Sequence, residues 1–297
     1  MFRFCRLFFL FLPIIFLPPT AKAQSRTDCN VVNSHILHRP IHYCAQLPPD
    51  YDATNQKARR YSVLYFLHGL GQNEQTLLSN GGWSLIEDLR RQHKIGDFLI
   101  VAPEGGRSFY INSADNSFRY SDFFLRELMP HIESRYRIRP GRQGRAITGV
   151  SMGGYGALRF AFAHPELFSA VTAQSAALIT QTPQELSAAG NSNGSLSRLL
   201  GSAFGQPVNL GHWKQNSVFG LAKTNQAALR RLAIYFNCGQ ADDFGFEEGA
   251  AALHQQLQAE DVKHEYHSYP GDHSLTYFLS HMAEVMEFHS RAFAEQK

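Results

Sequence analysis

Short, continuously apolar runs rich in β-branched and aromatic residues recur at 61–67, 98–102, 146–150, 168–173, 232–237 and 264–269. Unbroken apolar character, instead of strict alternation, predicts strands covered on both faces. Between them lie segments with helical spacing, at 84–93, 121–136, 152–163, 247–260 and 275–294. In the last, Leu275, Phe278, Leu279, Met282, Val285 and Met286 repeat at i, i+3, i+4. Strand–helix alternation of this kind predicts an α/β fold with a mostly parallel central sheet and helices on both faces. A strand–turn–strand pattern at about 32–48 adds an antiparallel hairpin at the sheet edge.

The interval 179–231 breaks the alternation. It holds a Ser, Asn and Gly-rich stretch at 187–197 and the sequence Thr182-Pro183-Gln184-Glu185. That sequence reads as a helix start with Thr182 as N-cap and Glu185 reaching back. Two readings of the interval stay open: a cap-like insertion over the C-terminal edge of the sheet, or a loose surface loop.

Residues 1–23 form a separate unit. Arg3 and Arg6 precede an apolar stretch over 7–17, and Ala21-Lys22-Ala23 is a small-x-small cleavage signal. This predicts a secretory signal peptide, a single domain over 24–297, and a secreted or periplasmic location. The apolar stretch falls short of a membrane span and is flanked by Pro18 and Pro19, so no stable membrane anchor is expected. The 28 Lys and Arg exceed the 25 Asp and Glu by three, and Arg3, Arg6 and Lys22 lie in the leader. The remainder is balanced, which gives no reason to expect a nucleic-acid partner. Arg135, Arg137, Arg139, Arg142 and Arg145 read as a solvated loop. Cys29 and Cys44 flank the hairpin and are the best candidates for a disulfide, while Cys238 reads as a buried free thiol at a strand end.

The chemistry centres on Gly149-Val150-Ser151-Met152-Gly153, which fits G-x-S-x-G between an apolar strand and a helical segment. A serine at such a sharp turn has its hydroxyl exposed, and small neighbours permit the strained backbone. A serine hydroxyl needs a base, and the base needs an orienting acid. Asp242 closes a Gly-x-x-Asp turn after the strand at 232–237, with Asp243 the alternative. His273 follows the last strand in Pro270-Gly271-Asp272-His273 and is the candidate base. Backbone N–H groups of Met152 and of Leu70, in His68-Gly69-Leu70-Gly71, are candidates for an oxyanion hole. His264 and His267 face opposite sides of a strand, and H-E-x-x-H and C-x-x-C spacings are missing, so neither a metal nor a cofactor is expected.

Leu67–Gly71, Thr148–Ala157 with His164-Pro165-Glu166-Leu167-Phe168, and 238–242 with 270–273 resemble the esterase D–type branch of the α/β-hydrolases. That branch includes tributyrin-type, acetyl and feruloyl esterases, S-formylglutathione hydrolases and trehalose mycolyltransferases. The resemblance covers about 32–293 and implies an α/β-hydrolase fold. It places Ser151, Asp242 and His273 on the triad positions and Leu70 and Met152 on the oxyanion positions. It also places Tyr110 and Asn112, in Pro103–Asn112, beside the acyl site. The implied activity is a serine carboxylic ester hydrolase working through an acyl-enzyme on short-acyl or carbohydrate-linked esters. Two alternatives accompany it: acyl transfer of the mycolyltransferase kind, and a catalytically idle carbohydrate- or cell-surface-binding protein. S-formylglutathione hydrolysis is disfavoured for an exported chain.

Overall fold

A computed structural model describes residues 25–188 and 195–295. Residues 1–24, which include the expected leader, and the centre of the Ser, Asn and Gly-rich stretch lie outside the described residues. Eight strands form one sheet in the order β1-β2-β4-β3-β5-β6-β7-β8. They are β1 (Arg26–Ser34), β2 (Arg39–Leu47), β3 (Ser62–Leu67), β4 (Phe98–Pro103), β5 (Arg145–Val150), β6 (Ala170–Gln174), β7 (Ala233–Gly239) and β8 (Glu265–Tyr269). The pairs from β4 through β3 and β5 to β8 are parallel, and the β1–β2 hairpin joins β4 antiparallel. This is the α/β-hydrolase architecture that the sequence predicts.

The continuous apolar runs serve two different cores. In β3, Val63, Tyr65 and Leu67 join one layer, packed under helices that include Phe124, Phe160 and Leu253. Leu64 and Phe66 join the other, with Trp83, Ile86, Val285 and Met286. Side chains alternate across a strand, so a run apolar at every position is what a sheet buried on both faces requires.

Three elements differ from the sequence reading. The hairpin begins at Arg26, because the outer half of β1 is exposed at alternate positions and too polar to read as a strand. Cys29 lies directly opposite Cys44 in its register, and the two form a disulfide. The helix over 120–135 contains a π-helical turn, Phe124–Leu128. The C-terminal stripe is shared by two helices, Leu275–Ser280 and Met282–Ala294, which part at His281, whose ring stacks on Tyr269 at 4.1 Å. The basic stretch is also less solvated than expected. Arg145 pairs with Glu133, Arg142 Nε donates to Pro165 O at 2.9 Å, and Arg137 lies over the Tyr51 ring at 3.8 Å.

The interval 179–231 divides into two parts. Helices α1 (Pro183–Ala188), α2 (Ser195–Phe204) and α3 (Leu210–Gln215) form an insertion after β6. The next helix, α4 (Val218–Leu229), packs against α5 (Met152–Ala163) as the ordinary crossover to β7. The expected cap at Thr182 is present: Thr182 N–H donates to Glu185 Oε2 at 2.6 Å, and Glu185 N–H to Thr182 Oγ1 at 3.3 Å. Beneath the sheet, His289 Nε2 meets Thr172 Oγ1 at 2.9 Å, whose hydroxyl donates to Thr148 at 2.6 Å. Its Nδ1 has no partner among the described residues, and full burial pushes its pKa down to about 3.

Candidate active site

Ser151 stands between β5 and α5 with φ 55° and ψ −119°. A non-glycine residue there costs on the order of 1–3 kcal/mol and persists only when its surroundings fix it. They do: Ser151 N–H donates to Gln174 O at 2.9 Å, and Ser151 O accepts from Tyr155 and Ala177 N–H at 3.0 Å each. The two glycines of the motif are required by close approach. A Cβ on Gly149 would lie 2.2 Å from Gly153 O, and one on Gly153 would lie 1.9 Å from Leu67 O.

Ser151, His273 and Asp242 are brought into one hydrogen-bonded row. His273 Nε2 is 2.9 Å from Ser151 Oγ, and its Nδ1 is 2.7 Å from Asp242 Oδ2. The Asp242 side chain is fully buried. Burial alone would raise its pKa, but the His273 hydrogen bond and charge, the Phe244 N–H and Ser175 outweigh this and hold the carboxyl below its ordinary value. Spacing alone left Asp242 and Asp243 open; the geometry separates them. Asp243 is exposed and its Oδ2 accepts the His273 backbone N–H at 3.2 Å, so it holds the loop while Asp242 holds the ring. Cys238 is the buried free thiol that the sequence implies, 3.6 Å from both Asp242 Oδ2 and Ser175 Oγ. Burial pushes its pKa up to about 12, which keeps it protonated.

Leu70 and Met152 both line the cavity in front of Ser151. Met152 opens α5, so its N–H has no acceptor within the helix. The orientation of the Leu70 N–H is set by a residue whose part the sequence reading missed, His68. It is fully buried, its Nδ1 donates to Gly69 O at 2.8 Å, and its Nε2 accepts Gly105 N–H at 2.8 Å. These contacts require the neutral ring with its proton on Nδ1, and burial lowers the pKa in the same sense. Gly69 O and Leu70 N–H belong to one planar peptide and point in opposite directions. A grip on the carbonyl therefore aims the N–H. A histidine closing a buried strand just before the loop glycine is the signal that was available.

Tyr110 and Asn112 require correction. Tyr110 is fully buried, donates from Oη to His68 O at 2.9 Å, and lies where a Cβ on Gly156 would meet it at 2.6 Å. Asn112 Oδ1 accepts from Asp122 N–H at 3.1 Å. Neither lines the cavity beside Ser151. They brace the loops from behind, because an aromatic residue in a Gly-rich loop turns toward the apolar layer when that layer has room for it.

The cavity has a volume of about 760 Å³. Phe244, which is 62% exposed, stands edge-on to His273 at 4.8 Å and stacks on Phe246 at 5.5 Å. Leu70, Ile179 and Phe278 add apolar wall, while Glu185, Asp243 and Glu248 add carboxylates. A larger cavity of about 1060 Å³ lies at the opposite end of the strands beside Ser25, with Arg59, Arg60 and Arg139 in its lining. It lacks the nucleophile–base pairing seen at Ser151.

The Esterase family pattern matches residues 34–289. The chain belongs to this family. Within it, the chain is similar to an acetyl esterase of Caldicellulosiruptor saccharolyticus, 28% identical over 254 residues that cover 82% of this chain and 86% of that one. It is also 28% identical to an esterase of Mycobacterium tuberculosis over 76% of this chain, and there it spans about half (51%) of the relative's length. A solved ferulic acid esterase superposes with a TM-score of 0.76 at 26% identity, covering 91% of this chain and 99% of that one. Together with the sheet order, these likenesses place the chain in the esterase D–type branch of the α/β-hydrolases.

Proposed function

We propose that this protein is an exported serine carboxylic ester hydrolase acting on short-acyl or carbohydrate-linked esters. The observation that carries the reading is the row Asp242–His273–Ser151, with hydrogen bonds of 2.7 and 2.9 Å, opening into a cavity. Ser151 Oγ attacks the ester carbonyl as its proton passes to His273 Nε2. Asp242 holds the ring and stabilises the imidazolium. Leu70 and Met152 N–H receive the oxyanion, a contribution on the order of 10²–10³ in rate per donor. His273 returns the proton to the departing alkoxide, leaving an acyl-Ser151, and a water activated by the same imidazole then releases the acid. The relatives named for acetyl and ferulic acid ester cleavage support this substrate range. The leader pattern at 1–23 and the Cys29–Cys44 bond support export to an oxidising compartment.

A fluorophosphonate probe labels the purified protein and fails on Ser151→Ala. Wild type then hydrolyses p-nitrophenyl acetate, acetylated sugars or feruloyl esters faster than long-chain acyl esters. Lack of labelling sinks the mechanism, and a preference for long acyl chains sinks the substrate range.

A further inference from the structure

A separate cavity of about 460 Å³ shares Ile179, Thr180 and Gln181 with the catalytic cavity. Its other side is formed by Trp213 of α3 and Phe219 of α4. We propose that this groove is a saccharide subsite that holds the sugar portion of a carbohydrate-linked ester while its acyl group lies at Ser151. The inference rests on the esterase reading above and deepens it by placing the alcohol side of the substrate.

The lining chooses among ligand classes. Trp213 is half-exposed and packed against Phe204 at 4.8 Å between ring centres, so its indole is held in place before anything binds. A rigid aromatic plate costs little entropy on binding. The side chains of Thr180, Gln181 and Gln184 have no hydrogen-bond partner among the described residues, nor does the indole N–H of Trp213. An alkyl chain laid here would desolvate these groups without replacing their bonds to water, at a cost of about 1–3 kcal/mol for each group fully buried. Among the described lining residues an anion would find one cation, Lys214, and a cation would find no carboxylate. A neutral sugar ring satisfies both kinds of surface. Its C–H face lies flat on Trp213 or Phe219, and its hydroxyls pair with amides that both donate and accept. The volume lies in the range that small ligands occupy.

The chain has two tryptophans, and Trp83 is buried in the other layer. Change in emission on adding sugar therefore reports Trp213. Titration of the purified protein with unesterified xylotriose or maltotriose should give a saturable shift, with a dissociation constant on the order of 1 mM. Glycerol at equal mass should give none. By calorimetry, Trp213→Ala should abolish binding. The paired change Gln181→Ala with Gln184→Ala, at exposed positions that leave the core intact, should weaken it about tenfold. Absence of saturation with both sugars, or unchanged affinity in the paired variant, overturns the subsite. Fluorophosphonate labelling of Ser151 is read on the same protein. A labelled protein that ignores sugars refutes the groove alone, and an unlabelled protein that binds them refutes the esterase reading alone.

Discussion

The loops at the C-terminal ends of β3, β5, β7 and β8 and the insertion over α1 to α3 face neighbouring space, but they are held differently. The first set is tied backbone to backbone. Ser151 bonds Gln174 and Ala177, Ala241 N–H donates to Gly271 O at 2.9 Å, and Gln240 N–H to Tyr269 O at 2.8 Å. A Cβ on Gly239 would lie 2.6 Å from Gly271 O, so these strands meet with no room to spare. The insertion has the backbone bond from Ala114 N–H to Ala203 O at 3.0 Å and is otherwise held through side chains, by the Thr182–Glu185 cap, the Phe204–Trp213 packing and, just past α3, the Tyr155 hydroxyl, which donates to Asn216 O at 2.8 Å. Bond making is assigned to the part that cannot shift, and recognition to the part that can be rebuilt without disturbing it. Substitutions in the first should act on kcat, and those in the second on KM.

The largest effect is expected within a single dipeptide. Asp242→Asn should lower kcat on p-nitrophenyl acetate by about 10⁴-fold, because the imidazole loses its orienting carboxylate. Asp243→Asn, which weakens only the bond to the His273 N–H, should cost about tenfold or less. Equal losses would mean that the loop, and not the ring, is what the acid governs. Next comes His68→Ala, which frees the Gly69–Leu70 peptide and should cut kcat by about 10²–10³ with little change in KM. His68→Asn keeps an N–H near the Nδ1 position and should recover part of the loss. Recovery by thermal stability alone, without kcat, would reduce His68 to a packing residue.

Acid probes the sheet beneath these loops. Unfolded His289 takes a proton near its ordinary value of 6.5, whereas the folded chain resists until about 3. Below 6.5 the unfolded state therefore binds more protons, and stability falls with pH by up to about 1.4 kcal/mol per unit from this residue. Urea melts at stepped pH should show that slope, and His289→Gln should flatten it between 6.5 and 3. The smallest effect belongs to the insertion. Thr182→Ala removes a cap worth about 1 kcal/mol and should raise KM several-fold while kcat stays near wild type. A large fall in kcat there would erase the division between the two regions.

The sheet and the row of Ser151, Asp242 and His273 were legible because their signals are local. A strand buried on both faces must be apolar throughout, and an elbow serine must have Gly149 and Gly153 beside it. Where the signal depends on which way a side chain turns, the sequence does not carry it. Tyr110 looks the same in sequence whether it faces a ligand or the Gly156 backbone, and spacing favours Asp242 but only the geometry separates it from Asp243. α4 was lost inside a supposed insertion because Gly220, Lys223, Thr224 and the kinked Asn225 dilute its apolar face. The part that His68 plays is not legible in the sequence because its two bonds reach Gly69 and Gly105, and the second lies far along the chain.

The Cys29–Cys44 bond closes an edge hairpin that takes no part in the row at Ser151. Oxidation of this pair and assembly of the row at Ser151 are therefore expected to be separable, so that turnover alone would not report the first. Thiol titration supplies what turnover omits. With Cys238 and Cys44 both buried, the described residues of the oxidised protein offer no accessible thiol, while a reduced hairpin offers Cys29. Reduction of that bond would remove the covalent tie between β1 and β2, and any loosening of β1 would bare β2 as an open template for other chains.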